Sequence, residues 1–370
     1  MAKLTRRVSK FAAIVGGVVL AAAALSGCSS ADEPGGGDAT SDSLTIGSVV
    51  PTLENPFWQR YVAFQQEAAD QLGFELVVVD GQNDGTKMLN GAKDLIARGV
   101  DGLIHVGYYD TGRAVIKAAA EADIPVAIAD SSPADIEPQT PGYENYIAFM
   151  GPNDVQAGQA EAQYIIDAAM EKGGDVKVFG LEGTLGTSVN EGRVEGLKNA
   201  IAESPGAELV GTQTGDFLRE NALNVVTNVL QSNPDINVIW NANDDMAIGA
   251  IQAVTRDGLT PGTDILVGGM DLNGDAIDAI KADELLVSLG GHWLQGGFLA
   301  AIMYDSLNGF PVPADESTIK LDLLAVDKSN VETFESQFPD GQPTDYDFKS
   351  YSPVYDGDAP VTGYVLPPIG

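Results

Sequence analysis

LTIGSVVPTLENPFW, residues 44–58, decides how the remaining chain is read. Its first half, 44–50, is short, rich in β-branched residues and uncharged, as a strand buried on both faces of a parallel sheet must be. Pro51 ends that strand, 52–54 form a short loop, and Asn55-Pro56 reads as a helix start. Asn is the N-cap, and Pro occupies the first helical position with its φ already suitable. The helix is expected to run to about residue 72. Phe57 and Trp58 then stand in its first turn, just beyond the carboxyl end of a strand, where open α/β sheets bind ligands.

Outward from this unit, apolar runs at 75–80, 102–106, 125–129 and 146–149 alternate with amphipathic stretches at 86–98 and 111–122. A helix at 155–172 restarts the pattern, with strands at 176–181, 208–212, 237–240, 265–268 and 285–289. Helices at 189–202, 219–231, 244–257 and 274–282 lie between these strands. Such alternation specifies α/β architecture with parallel sheets covered on both faces. Two groups of five strands, separated near Gly151, predict two doubly wound, Rossmann-like lobes rather than one sheet.

The first residues stand apart. Lys3, Arg6, Arg7 and Lys10 precede a 15-residue apolar run, 11–25, which has the layout of a secretory signal and is short for a membrane span. Leu25-Ser26-Gly27-Cys28 resembles the lipobox of bacterial lipoproteins, which implies a signal peptide over 1–27 and lipid attachment at Cys28. The alternative is an unprocessed signal anchor with a buried cysteine. Residues 28–43, polar and Gly-rich, read as a flexible tether. Cys28 is the chain's single cysteine, so neither an internal disulfide nor a cysteine zinc site can form. The chain has 20 Lys+Arg against 53 Asp+Glu and a net charge of −33. Such a surface repels nucleic acid and anionic headgroups, so no nucleic-acid partner is expected.

Several fragments, in order, carry a resemblance: Asn55-Pro56-Phe57-Trp58, Asp80-Gly81-Gln82-Asn83-Asp84, Ile124-Pro125-Val126 with Asp130, and GTLGTSVNEGR at 183–193. Gly215-Asp216-Phe217, NANDDMAIG at 241–249 and Gly268-Gly269-Met270-Asp271 complete them. Over 44–327 the chain resembles the ribose-binding-protein branch of the type I periplasmic solute-binding proteins of ABC transporters. The resemblance implies a three-segment hinge with crossings near Gly151, Gly290-Gly291 and Ala314. Lobe 1 would comprise 44–151 and about 292–314; lobe 2 would comprise 152–291 and about 315–330, with one strand at 319–326.

A polar solute enclosed by two lobes loses its water, and each hydroxyl left unpaired costs about 1–3 kcal/mol. Asp130, Arg193, Asn243 and Asp271 are expected at carboxyl ends of strands or the turns that follow, and suit vicinal hydroxyls. Phe57, Trp58 and Phe217 offer flat apolar faces to the C–H side of a ring. Asn55 and His292 complete the expected ligand-binding set. Asn243 could instead be an N-cap, though ligand binding is its preferred reading, and capping is the preferred reading of Asp244 and Asp245. Phe57 and Trp58 could fill the lobe core, Asp271 could cap a helix, and Arg193 could serve an internal ion pair. Against the family pattern, Ser131 replaces an Arg and Gly290-Gly291-His292-Trp293 replaces a Gln-bearing segment. Tyr108-Tyr109 replaces an Asn-Pro segment. These departures imply a kept fold with a rewritten set of hydrogen bonds.

Catalytic readings are weak. Gly180, Gly183 and Gly186 lack dinucleotide spacing, the calcium-like run at 80–85 has Gly91 where Glu is required, and His105 and His292 stand far apart. No enzyme activity, cofactor or metal is therefore expected. The implied role is a monomeric receptor on the extracytoplasmic face of the cell membrane, lipid-anchored, closing on a sugar-like solute for the membrane subunits of an ABC permease. The alternative is a sensor docking on a receptor kinase. Residues 331–370 extend beyond the family fold and either wrap the lobes or hang free; the apolar spacing at 351–366 slightly favours packing.

Overall fold

A computed structural model describes residues 44–343 and 346–369; the signal sequence, Cys28 and the tether lie outside the described residues. The strands are β1 (Thr45–Val50), β2 (Glu75–Asp80), β3 (Gly102–Val106), β4 (Val126–Ala129), β5 (Tyr146–Pro152), β6 (Val176–Glu182), β7 (Ala207–Thr214), β8 (Val238–Asn241), β9 (Leu266–Asp271), β10 (Val287–Gly290), β11 (Thr318–Leu321) and β12 (Leu324–Asp327). The helices are α1 (Pro56–Leu72), α2 (Gly85–Arg98), α3 (Gly112–Glu121), α4 (Asp154–Lys172), α5 (Ser188–Glu203), α6 (Arg219–Ser232), α7 (Asp244–Arg256), α8 (Gly274–Lys281), α9 (Gln295–Leu307), α10 (Val331–Gln337) and α11 (Phe348–Tyr351).

The strands form two six-stranded sheets, ordered β11-β5-β4-β3-β1-β2 in lobe 1 and β12-β10-β9-β8-β6-β7 in lobe 2. All named pairings are parallel except β12 against β10. This is the two-lobed α/β fold that the alternation predicts. The opening unit forms as its residues dictate. Asn55 is extended, its side chain accepts from the Phe57 N–H at 2.8 Å, Pro56 occupies the first turn, and Gly73 ends the helix at φ 86.

The chain crosses between lobes at Asn153, at Gly291 and at Asp322–Leu323. The last crossing differs from the expectation. The single strand expected at 319–326 in lobe 2 is two strands: β11 extends the lobe 1 sheet beside β5, and β12 closes the lobe 2 sheet beside β10. Asp322 breaks the apolar run, and the Asn153 side-chain amide donates to its carboxylate at 3.2 Å, tying two crossings together.

The C-terminal segment packs on both lobes. α10 lies by lobe 2, where Lys281 and Glu335 pair at 2.9 Å. Phe338 meets the edge of Trp293 at 6.3 Å. Tyr346 and Phe348 then cover Phe64 of α1 at 5.3 and 4.9 Å. Ser352 and Tyr364 both donate to the buried Asp305 of α9. The chain thus passes between the lobes a fourth time.

Candidate functional site

Between the lobes lies a cavity of about 480 Å³, and Asn55, Phe57, Trp58, Asp130, Arg193, Phe217, Asn243, Asp271 and His292 all line it. The sheets bring them there because all but Arg193, which stands in the second turn of α5, follow the carboxyl end of a strand or open the next helix. Asp130 follows β4, Asn243 precedes α7 and Asp271 ends β9. Asp130, Phe217 and Asp271 hold φ of 66, 58 and 119, a backbone cost concentrated where the side chains must be aimed. Gly183 faces Phe217 so closely that a Cβ would stand 2.0 Å from the ring. The glycine-rich turn after β6 therefore makes room for an aromatic wall.

The rings form one group across the cleft. Phe57 and Trp58 meet edge to face at 4.8 Å, Trp58 meets Tyr108 at 5.8 Å, and Tyr108 of lobe 1 stacks on Phe217 of lobe 2 at 6.3 Å. The sequence leaves the role of Tyr108-Tyr109 open; both residues line the cavity. The Tyr108 hydroxyl donates to Asp130 at 2.9 Å, and burial, with Asp130 beside it, raises its pKa well above the ordinary value. Gln295 donates to the other Asp130 oxygen at 2.8 Å. Sequence reasoning missed this residue. Its signal is Gln295-Gly296-Gly297, whose glycines let α9 lie close against α1: a Cβ on Gly296 would stand 2.5 Å from the Tyr61 carbonyl oxygen. His105 is buried beneath, bonded to Thr111 at 2.7 Å, and is not a wall residue.

Arg193 has the internal partners that its alternative reading requires. Its Nε donates to Asp154 at 3.1 Å and one Nη to the Ala242 carbonyl at 2.6 Å; Asp271 lies 4.0 Å away. Gly158 permits this, since a Cβ there would meet the Arg193 carbonyl oxygen at 2.1 Å. Burial works against the guanidinium charge, but Asp154, Asp271 and Asp130 outweigh it and raise the pKa. His292 packs on Phe57 at 4.5 Å, and burial, then Arg193 and Arg60, push its pKa well down.

Other roles are refined. Asn243 is an N-cap, accepting from the Met246 N–H at 3.0 Å, while still lining the cavity. Asp244 stands in the first turn of α7, as expected, and its carboxylate also accepts from Asn273 N and Ser288 Oγ, both at 2.8 Å. Asp245, in the same first turn, also accepts from Asn55 across the cleft at 2.8 Å and from Arg219 at 2.9 Å. Ser131 stands 3.1 Å from Ser188 of the other lobe, Oγ to Oγ. Contacts on both flanks therefore hold the lobes closed.

The cavity walls carry more acid than base. Asp130, Asp245 and Asp271 face Arg193 and Arg219, and both arginines are already paired, Arg219 with Asp245 and with Asp275 at 2.7 Å. Among the described residues, no cluster of His, Cys, Asp and Glu could hold a metal ion, and no helix is long and apolar enough to cross a membrane.

The sequence profile of the periplasmic binding protein domain matches residues 46–309. The chain belongs to the periplasmic binding protein family. It is a binding protein, not an enzyme. Among its relatives, the ribose import binding protein RbsB of Bacillus subtilis is 34% identical over 65% of this chain and 74% of its own length. RbsB of Haemophilus influenzae is 32% identical over 76% and 91%. A crystal structure from Mycobacterium smegmatis in complex with β-D-fucofuranose is similar at a TM-score of 0.71, with 27% identity over 78% of this chain and 93% of that one. In this periplasmic binding protein the position after Asp130 is spent on lobe-to-lobe contact through Ser131.

Proposed function

We propose that this protein closes around a neutral, polyhydroxylated ring, a pentose or hexose sugar or a close analogue, and delivers it to an ABC permease. Lipid on Cys28 holds it at the extracytoplasmic face of the membrane. The observation that carries the reading is the cavity itself. Carboxylates, an amide and a guanidinium from two lobes surround a space bounded by Phe57, Trp58, Tyr108 and Phe217. Carboxylates and amides accept from and donate to sugar hydroxyls, while the rings cover C–H faces. The wall charge adds a restriction. With both wall arginines already paired to acids, an anionic solute would face carboxylates with no cation to receive it. The names of the relatives, which concern ribose and furanose sugars, support the same class.

The test is a thermal-shift panel of D-ribose, L-arabinofuranose-forming L-arabinose, D-galactose and myo-inositol beside a sugar acid and a sugar phosphate. A raised unfolding midpoint with a neutral compound alone is the expected result. Stabilisation by the anions alone would overturn the charge argument, and no response to any neutral member would overturn the sugar reading. Cys28→Ala should release the protein from membranes or block its processing without changing solute binding.

A further inference from the structure

Arg60 does not line the cavity, yet its side chain reaches from α1 of lobe 1 to the turn of lobe 2 that carries Asp271. One Nη donates to the Leu272 carbonyl at 2.9 Å; the other donates to the Asp271 carbonyl at 2.9 Å and to the Asn273 side chain at 2.8 Å. The guanidinium lies over Trp293, its Cζ 4.0 Å from the ring centroid, at the second crossing. The C-terminal segment closes over it. Gln342 donates to the Arg60 carbonyl at 3.0 Å, and Gly341 packs so close that a Cβ would stand 2.4 Å from Arg60 Cδ.

The turn it grips is strained. Asp271 and Leu272 have φ of 119 and 56, values that a leucine seldom adopts without external support. Lobe 2 holds this turn through its amides: Leu272 N–H donates to Ser288 at 3.1 Å and Asn273 N–H to Asp244 at 2.8 Å. The carbonyls face the other way, and Arg60 takes both. Three acceptors in fixed directions match a planar fork and not a single ammonium.

We propose that Arg60 is a positioning residue: from lobe 1 it holds the Asp271–Asn273 turn of lobe 2 in the form that presents the Asp271 carboxylate to the solute, so that presentation depends on closure. This rests on the solute-binding reading of the cleft. Opening the lobes withdraws the guanidinium, frees the turn and lowers the hold on the solute in one movement.

Arg60→Gln and Arg60→Lys decide the matter through hydrogen exchange and calorimetry. In Arg60→Gln, the amides of Leu272 and Asn273 should exchange about tenfold faster, with lobe 1 strands unchanged. Affinity for D-ribose or myo-inositol, whichever the wild-type protein binds, should fall about tenfold or more. Arg60→Lys, the variant more certain to fold, should lie between, and in an Arg60→Gln background Asp271→Asn should cost less affinity than alone. Unchanged exchange at 272–273, or exchange that rises evenly through both lobes, overturns the proposal; so does wild-type affinity in Arg60→Gln. If neither compound binds the wild-type protein, the sugar reading fails for that pair, while the exchange measurement still decides on Arg60.

Discussion

The Asn55 side-chain amide of lobe 1 donates to the Asp245 carboxylate of lobe 2 at 2.8 Å, while its oxygen caps α1 at the Phe57 N–H. One residue thus starts the helix that carries Phe57 and Trp58 and also fastens the cleft. Asn55→Asp separates the two tasks, since aspartate caps as well as asparagine but sets a carboxylate against Asp245. Like charges about 4 Å apart cost about 1–4 kcal/mol between water and a partly buried setting. The variant should keep its thermal midpoint, show a larger radius of gyration by small-angle scattering and bind its solute more weakly. An unchanged radius and affinity would mean that this contact does not hold the lobes.

Arg193→Ala should reduce stability as well as binding. The substitution leaves Asp154 and Asp271 buried without their cation, and breaking a buried pair in this way costs about 3–5 kcal/mol. Urea unfolding without solute is the measurement. A loss under 1 kcal/mol would show that those carboxylates find other partners.

Stability should fall as pH rises from about 4 through about 6. Burial pushes Asp305 up to about 6, against the donors Ser352 and Tyr364, and burial also raises Glu161 well above the carboxylate range. A carboxyl whose folded pKa is raised binds more protons folded than unfolded, so its contribution is complete below the unfolded pKa near 4 and is lost through the folded one. The Glu161 carboxyl accepts from the Asn241 N–H at 3.3 Å, and its other oxygen has no hydrogen-bond partner among the described residues. Glu161→Gln, which imitates the protonated acid, should be tolerated at pH 7 and should flatten the slope of melting temperature against pH. A steeper slope in the variant would refute the assignment.

Tyr364→Phe removes one of the two donors that the C-terminal segment gives to Asp305. The loss should be about 1–3 kcal/mol, the range for a buried acceptor deprived of its partner. Differential scanning calorimetry on the variant, with Tyr164→Phe as an exposed control, tests whether the segment is part of the stable body.

The lobes and the wall of the cleft were legible because one rule, repeated, generates both. A buried strand followed by a helix start puts its junction residues at the same end of the sheet, so Phe57, Asp130, Asn243 and Asp271 could be placed from local pattern alone. What pattern could not supply are pairings between side chains far apart in the sequence, within a lobe or across the cleft. Arg193 meets Asp154 from a different helix, Asp130 meets Gln295 from α9, and Asp245 meets Asn55 from the other lobe. Each partner has an adequate local explanation of its own, as a helix-start residue, which conceals the long-range one. The division of 318–327 into two strands escaped for a related reason: the composition is that of one strand, and only the position of the two sheets decides where Asp322 must interrupt it.

The C-terminal segment, seated on α8 and β12 and then on α1 and α9, bears on kinetics more than on architecture. Three neighbouring crossings join the lobes, and a hinge of that kind can twist as well as bend. A brace on the flank removes part of the twist, so less freedom remains to be surrendered at capture. Affinity gained by such preorganisation is expected to show in the dissociation rate, with the encounter rate little changed. Stopped-flow traces of the whole chain and of a chain ending at residue 330 should then differ in how long the solute stays.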